Sequence, residues 1–192
     1  MSTIDKILKY AKTLVGIKYK YWDPSMKDIT DEPMYATNDK VPSLKELKTK
    51  TINCAGLINL MRRKAGLQID GLIEGKPIYL TPGGTYTWFD YLKKEGRLSE
   101  FDYKKNYPKG TLLLRKYSSP KEQGHLAIIY NTNKKGQMYA NLLHSWTIEG
   151  YVKNNKTLPG VDVELTVAQS HFYKNDGYYT HVCLPTNWLI KN

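Results

Sequence analysis

Apolar residues recur at helical spacing in the first half of the chain, and longer apolar runs fill the second half. Residues 3–15 place an apolar stripe opposite a row of lysines, which predicts an amphipathic helix ending at Gly16. Residues 85–94 predict a further helix with aromatic side chains for burial, and residues 43–50 predict a short one capped by Ser43. The chain therefore begins with helices.

The helix predicted after Asn53 opens on a cysteine. Asn53 is a favourable N-cap residue, apolar side chains follow Cys54 at helical spacing, and Gly66 suits the left-handed end of a helix. We expect this helix to bury one face. A thiol at its start faces unpaired N–H groups and the positive end of the helix dipole, which predicts a lowered pKa for Cys54. The alternative role for this residue is that of a small buried hydrophobe.

Strand patterns dominate the second half of the chain. Residues 111–115 form a short apolar run, and residues 124–130 form a nearly unbroken one that predicts a central strand covered on both faces. A hairpin turn is predicted at 133–136, with residues 137–146 pairing back antiparallel, and the clearest later strand is 178–184. The pattern predicts an α+β fold, with N-terminal helices packed on a central antiparallel β-sheet.

Composition narrows the class of protein. A chain of 192 residues that is 41% hydrophobic and 24% charged predicts one globular domain over residues 1–192. The formal net charge of +11 comes almost entirely from scattered lysines, which favours affinity for anionic surfaces but no specific nucleic-acid site. We recognise no signal peptide and no transmembrane segment. We expect a soluble protein that is either cytoplasmic or virus- or phage-encoded and intracellular.

The spacing of cysteine and histidine argues against a bound metal. Cys54 and Cys183 are too few for a disulfide framework and do not form a metal-type pair. His171 and His181 have no ligand spacing relative to each other or to the cysteines. We therefore predict no cofactor, and we expect Cys183 to be a core residue.

Two histidines are predicted to share one face of the sheet. If residues 134–135 form the hairpin loop, His125 lies directly opposite His144, with Cβ atoms roughly 5 Å apart. If the loop is 135–136, the two are diagonal neighbours on the same face, whereas a slip of one residue would separate them. One imidazole could then act as a base toward a thiol while the other orients it. The alternative is two histidines that are simply hydrogen-bonded.

Five short motifs follow one another along the chain: Gly16-Ile17-Lys18-Tyr19, Asn53-Cys54-Ala55-Gly56-Leu57, Lys109-Gly110-Thr111-Leu112-Leu113, Gly124-His125-Leu126-Ala127-Ile128-Ile129-Tyr130 and Leu143-His144-Ser145. In this order they resemble the signatures of the NlpC/P60 cysteine peptidases, which are compact papain-like hydrolases. The resemblance spans about residues 3–146 and leaves two insertions unmatched, at about 23–50 and 66–105. A lid over the cleft is a hypothesis for the first insertion, since long loops in compact domains are often functional.

The resemblance implies a Cys-His-His triad in the non-permuted order. It implies Cys54 as nucleophile, His125 as general base and His144 as the residue that orients the base. It also implies that Tyr19 helps to bind the substrate or the oxyanion, beside the backbone N–H of Cys54.

Neighbours of the triad are expected to form the substrate and oxyanion site. By their place in the sequence, Trp22 and Trp146 are expected to line the cleft. The family usually carries Asp and Ser at the positions of Asn53 and Ala55, where they help wall-peptide enzymes to recognise the amine of the stem peptide. Asp is also common at the position of Thr111. These departures favour a thiol hydrolase with an altered substrate.

The resemblance implies cleavage of an amide or peptide bond through a thioester acyl-enzyme. Cell-wall stem peptides, cut at bonds around the D-glutamyl residue, are the usual family substrate, so the expected partner is a wall fragment or a related peptide or amide. Two other functions stay open. One is a lipid acyltransferase or thioesterase on the same site, and the other is a non-catalytic basic module that binds nucleic acid, membrane or wall polymer.

Overall fold

The computed structural model describes residues 1–22, 32–37, 39–69, 84–115, 124–153, 156–162 and 179–190, with the backbone alone for 147–153 and 156–158. Within these ranges the protein has an α+β fold with an open antiparallel sheet, and this part of the fold prediction is confirmed. Much of both insertions, the loop at 116–123 and His171 lie outside the described residues. None of the described helices has the length and apolar character that spanning a bilayer requires.

The described helices and strands are named in chain order. The helices are α1 (Thr3–Thr13), α2 (Leu44–Leu47), α3 (Cys54–Lys64), α4 (Thr85–Lys94) and α5 (Pro185–Trp188). The strands are β1 (Ser99–Glu100), β2 (Leu112–Arg115), β3 (His125–Asn131), β4 (Asn141–Lys153), β5 (Lys156–Asp162) and β6 (His181–Cys183), and a 3-10 turn covers Gln137–Tyr139.

Local sequence signals explain where the helices begin. Capping boxes open α1 and α2, and the second of them uses the predicted cap Ser43. The predicted cap of α3 is confirmed, since Asn53 Oδ1 accepts a hydrogen bond of 2.7 Å from Gly56 N–H. Gly66, just past α3, has a φ of 73°, the left-handed geometry expected there. The bounds of α4 match the prediction, whereas α1 and α2 end earlier than expected.

The described strands lie in the order β1-β6-β2-β3-β4-β5, and all neighbours run antiparallel. β2 to β5 form the predicted meander, while β6 returns from the end of the chain to lie between β1 and β2. β3 is central and buried over its first five residues, as predicted. One face of the sheet packs against α1, α3 and α4 in the main core. The opposite face carries a smaller apolar cluster around Leu113, Ile129 and Leu142.

The hairpin between β3 and β4 shows which predicted register the two histidines adopt and that its loop is longer than predicted. Ile128 lies opposite Leu143, which is the diagonal register for the two histidines rather than the direct one. The predicted two-residue loop is wrong, because residues 132–140 connect the strands and a bulge shifts their register. Gln137 explains the longer connection: it is buried, and its side chain accepts a hydrogen bond of 2.7 Å from Tyr107 N–H. This long-range bond has no local sequence signal.

Helix α3 is buried on every side, so the prediction of a single buried face is wrong. All of its residues except the last are buried. One side packs against the sheet, and residues of the first insertion cover the other. Asn59 Nδ2 donates to Met34 O at 2.7 Å, and Arg63 Nε donates to Asp39 O at 2.9 Å. These polar side chains bind the backbone of a distant segment instead of facing water, and residues 33–36 of that insertion are buried.

Candidate active site

Two hydrogen bonds hold the residue that leads into α3. Ile52 N–H donates to Lys18 O at 2.9 Å, and Ser145 Oγ donates to Ile52 O at 2.6 Å. The first bond ties the helix start to the segment 16–19, whose backbone also bonds to β5. The second ties it to β4, one residue beyond His144. Cys54 is thereby positioned by two segments, 16–19 and β4, that are far apart in sequence.

Strands β3 and β4 separate just before they reach the site. The last pair between them in the described register is Ile128 with Leu143, after which β3 stays paired with β2 and β4 stays paired with β5. Ile129 N–H donates to Thr111 O on the β2 side, so odd-numbered residues of β3 direct their backbone groups toward β2 and even-numbered residues toward β4. The backbone N–H of Leu126 therefore opens into the split between the two strands.

The sulfur of Cys54 lies against this split. Burial raises the pKa of the thiol, and it outweighs hydrogen bonds from the backbone of Leu126 and the side chain of Thr85 that lower the pKa. Cys54 Sγ lies 3.8 Å from Thr85 Oγ1, and Cys54 is only 7% exposed. The predicted lowering of the pKa is wrong, because the start of α3 is enclosed by the sheet and by α4 instead of facing solvent.

The two histidines that were expected to share a sheet face are within hydrogen-bond distance of each other. His125 Nε2 and His144 Nδ1 are 3.1 Å apart, and the rings lie edge to face with centroids 5.3 Å apart. Both residues are fully buried, and the prediction that they share a sheet face is confirmed. Burial lowers the pKa of His144 to about 4, so this ring is neutral at pH 7. Among the described residues, the Cys54 sulfur bonds to Thr85 and the Leu126 backbone rather than to the His125 ring.

An aromatic pair lies beside the imidazoles and the thiol. Trp146 makes an edge contact with His125, with ring centroids 4.9 Å apart, and another with Tyr19, with centroids 6.1 Å apart. Tyr19 N–H donates to Pro159 O at 3.1 Å, which holds this residue along β5. Burial, and after it the neighbouring Cys54, raises the pKa of the Tyr19 hydroxyl, so the hydroxyl keeps its proton and can donate a hydrogen bond.

The other predicted site residues make capping or packing contacts. Asn53 uses its side-chain oxygen as the cap of α3. Trp22 is buried in a small cluster with Met34 and Ala36. Cys183 is a fully buried core residue, as predicted. Within the described ranges, no group of three or more His, Cys, Asp or Glu side chains could hold a metal ion.

Sequence reasoning missed two residues at this site, Thr85 and Ser145. Thr85 belongs to the second insertion and begins a helix that was predicted from its aromatic pattern. Ser145 follows His144 and points to the opposite face of β4, toward the residue that leads into α3. No local pattern relates Thr85 to Cys54 or Ser145 to Ile52, since both contacts depend on tertiary packing.

Comparison of the chain with protein-family models, with curated proteins and with solved structures finds no match. The basis for proposing a function is therefore the geometry of the site together with the motifs of the sequence.

Proposed function

We propose that the protein is a thiol hydrolase that cleaves an amide or peptide bond, with Cys54 as nucleophile, His125 as general base and His144 as the orienting residue. The observation that carries the proposal is the approach of the Cys54 thiol to the backbone of Leu126, a group that lowers the pKa of the thiol. It sets the sulfur against the residue that follows His125, whose ring is bonded to His144. A nucleophile, a base and an orienting group are the parts that such catalysis requires.

The architecture supports the more specific proposal of a papain-like, NlpC/P60-like fold. The candidate nucleophile begins a buried helix that packs on an antiparallel sheet, and the candidate base begins the central strand. The second histidine lies on the neighbouring strand. This arrangement agrees with the order of the five sequence motifs.

The bond between the imidazoles assigns the atoms of the proposed proton transfer. Since Nε2 of His125 is bonded to His144, proton exchange with the thiol falls to Nδ1 of His125. That requires the His125 hydrogen on Nε2, donated to Nδ1 of neutral His144, whose own hydrogen is then on Nε2. Catalytic hydrogen bonds are often long in unliganded sites, so the proposal requires the thiol and His125 Nδ1 to approach each other when substrate binds.

The proposed reaction has two halves. In the first, Cys54 Sγ gives its proton to His125 and bonds to the amide carbonyl carbon; the C–N bond then breaks, and the amine leaves with that proton. In the second, His125 takes a proton from water, whose oxygen attacks the thioester. The carboxylic acid is released, and the proton returns to the thiolate. The Cys54 backbone N–H and the Tyr19 hydroxyl are the proposed donors to the oxyanion in both halves.

The proposed substrate class is a peptide or related amide, with cell-wall stem peptides as the first to test. Asn53 and Ala55 stand where wall-peptide enzymes of this kind usually have Asp and Ser. Ala55 is buried, and the Asn53 side-chain oxygen caps α3. Neither residue therefore offers an acidic group for a substrate amine, which favours an amide without a free amine near the scissile bond.

The test is an intact-mass search for a covalent adduct after exposure of the full chain to wall fragments, to peptides and, separately, to phospholipids. An acyl group on wild-type protein that is lost in Cys54→Ala, with release of the matching amine, supports the proposal. The matched control is Cys183→Ala, which removes the other cysteine, also buried, and should keep the adduct.

Three results would count against the proposal. An adduct formed only from phospholipid, without peptide cleavage, would indicate an acyltransferase. An adduct that survives Cys54→Ala would exclude this nucleophile. Binding that falls steeply with salt and is unchanged in Cys54→Ala, with no turnover, would indicate a basic binding module.

A further inference from the structure

The first residues of two helices are in contact at the Cys54 sulfur. Cys54 is the first residue of α3, and Thr85 is the first residue of α4. Their side chains meet at 3.8 Å between Sγ and Oγ1, and both residues are at least nine-tenths buried. The contact joins segments 31 residues apart.

The Thr85 hydroxyl makes no capping hydrogen bond at the start of its own helix. The N-cap of α4 is Gly84, which makes no side-chain capping bond. Thr87, two residues further on, donates its hydroxyl to Gly84 O at 2.9 Å and so serves the local backbone. The contact of the Thr85 hydroxyl is with the thiol instead.

We propose that Thr85 is a further catalytic residue, whose hydroxyl donates a hydrogen bond to the Cys54 sulfur when the thiol has lost its proton. This inference rests on the proposed function, in which the Cys54 sulfur is the reacting atom. A thiolate carries no hydrogen and can only accept, so the Thr85 hydroxyl becomes the donor. The proton goes to Nδ1 of His125, and the sulfur then accepts from Thr85 as well as from the Leu126 backbone.

The physical need for such a donor follows from burial. A thiolate loses much of its solvation in an enclosed site, so its charge must be stabilised by groups already in place. The neighbouring imidazole pair supplies a base, but neutral His144 brings no negative charge to offset the imidazolium. Hydrogen bonds aimed at the sulfur therefore add to the positive end of the α3 dipole in stabilising the ion pair of thiolate and imidazolium.

The test is the rate of alkylation of Cys54 by iodoacetamide between pH 6 and pH 10, measured by mass spectrometry of the labelled peptide. Thr85→Val removes the hydroxyl and keeps the shape, and we expect its profile to move upward by about half to one pH unit. At pH 7.5 the labelling should then be roughly threefold to tenfold slower. Thr85→Ser should restore the wild-type profile, and Thr87→Val is the matched control with an unchanged profile.

Circular dichroism and thermal unfolding show whether each variant is folded, and Thr85→Ala serves as a second hydroxyl-free variant if Thr85→Val is not. A profile of a folded hydroxyl-free variant that superposes on the wild type would overturn the proposal. So would a shift that Thr85→Ser does not reverse, since that would indicate altered packing. Alkylation needs no substrate, so its result is distinguishable from the test of hydrolysis. Full turnover by Cys54→Ala would refute the proposed function without altering what the labelling profiles measure.

Discussion

His125 and His144 are bonded at 3.1 Å between Nε2 and Nδ1, although the strands that carry them stop pairing before they reach these residues. The rings meet because alternate residues of each strand face the same side of the sheet, and the diagonal register leaves them within reach. The same separation exposes the Leu126 backbone to the Cys54 sulfur. One split between two strands therefore leaves the Leu126 backbone open to the thiol on α3 and keeps the two histidines within hydrogen-bond distance of each other.

The bond between the histidines predicts unequal effects of two substitutions at His144. His144→Ala leaves His125 without its orienting partner, and we expect kcat to fall by about 10²-fold with little change in KM. His144→Gln keeps an acceptor for His125 Nε2–H and should recover part of that loss. Steady-state kinetics on the substrate identified by adduct formation measures both. Equal activity of the two variants, or a change confined to KM, would show that this residue does not orient the base.

The hydroxyl of Tyr19 is predicted to stabilise the transition state. Tyr19→Phe keeps the edge contact with Trp146 but removes the donor, so kcat should fall by roughly 10²-fold to 10³-fold. Tyr21→Phe is the matched control, because Tyr21 lies two residues away and is 46% exposed. If both variants keep wild-type kcat, the oxyanion receives its hydrogen bonds elsewhere.

The close approach of the first insertion to α3 predicts a large effect at Gly56. A Cβ at this position would lie 2.1 Å from Pro33 O, a backbone atom that cannot move without displacing the segment it belongs to. We expect Gly56→Ala to reduce the free energy of unfolding by about 2–3 kcal/mol in urea denaturation.

Gly66→Ala is the matched control for that measurement. Gly66 has a φ of 73°, but a Cβ added there would meet no other atom within 4 Å, so only conformational strain of about 1 kcal/mol is expected. Equal losses in the two variants would mean that the contact between Gly56 and Pro33 does not constrain the fold.

The buried imidazole of His144 predicts a loss of stability in mild acid. The pKa of His144 is lowered by burial from 6.5 to about 4, so between these values the unfolded chain binds a proton that the folded protein does not. Stability is therefore full above about pH 6.5 and falls as the pH drops toward 4, by up to about 3 kcal/mol from this residue.

Urea denaturation at several pH values between 4 and 7 measures this effect. Subtracting the pH dependence of His144→Gln from that of the wild type isolates the contribution of the imidazole from those of other titrating groups. Parallel curves for the two proteins would show that His144 is protonated as readily in the folded state as in the unfolded chain.

Much of the local structure could be predicted from the sequence. Asn53 and Ser43 mark helix starts because their side chains bond to N–H groups within the same turn. The unbroken apolar run after Gly124 predicts a central strand because both faces must be covered. These signals depend on residues close together in the chain, and a sequence displays them directly.

The burial of the candidate site could not be predicted from residues close together in the chain. The sequence predicts a lowered pKa for Cys54 from the helix start alone, but the enclosure that raises it is built by the sheet and by α4. The second buried side of α3 depends on carbonyl groups of the first insertion, to which Asn59 and Arg63 donate. In the sequence, the polar character of these two residues instead suggests a side of the helix that faces water.

The sequence by itself determined the helix that begins at Cys54 and the central strand, because spacing and alternation are properties of the chain. The face shared by His125 and His144 depended on the hairpin register, which the structure supplied. Only the tertiary structure decided that β3 and β4 part beside the thiol and that Thr85 contacts its sulfur. The physical reason is that these features depend on which distant segments pack together, and packing is set by the whole molecule rather than by neighbours in the chain.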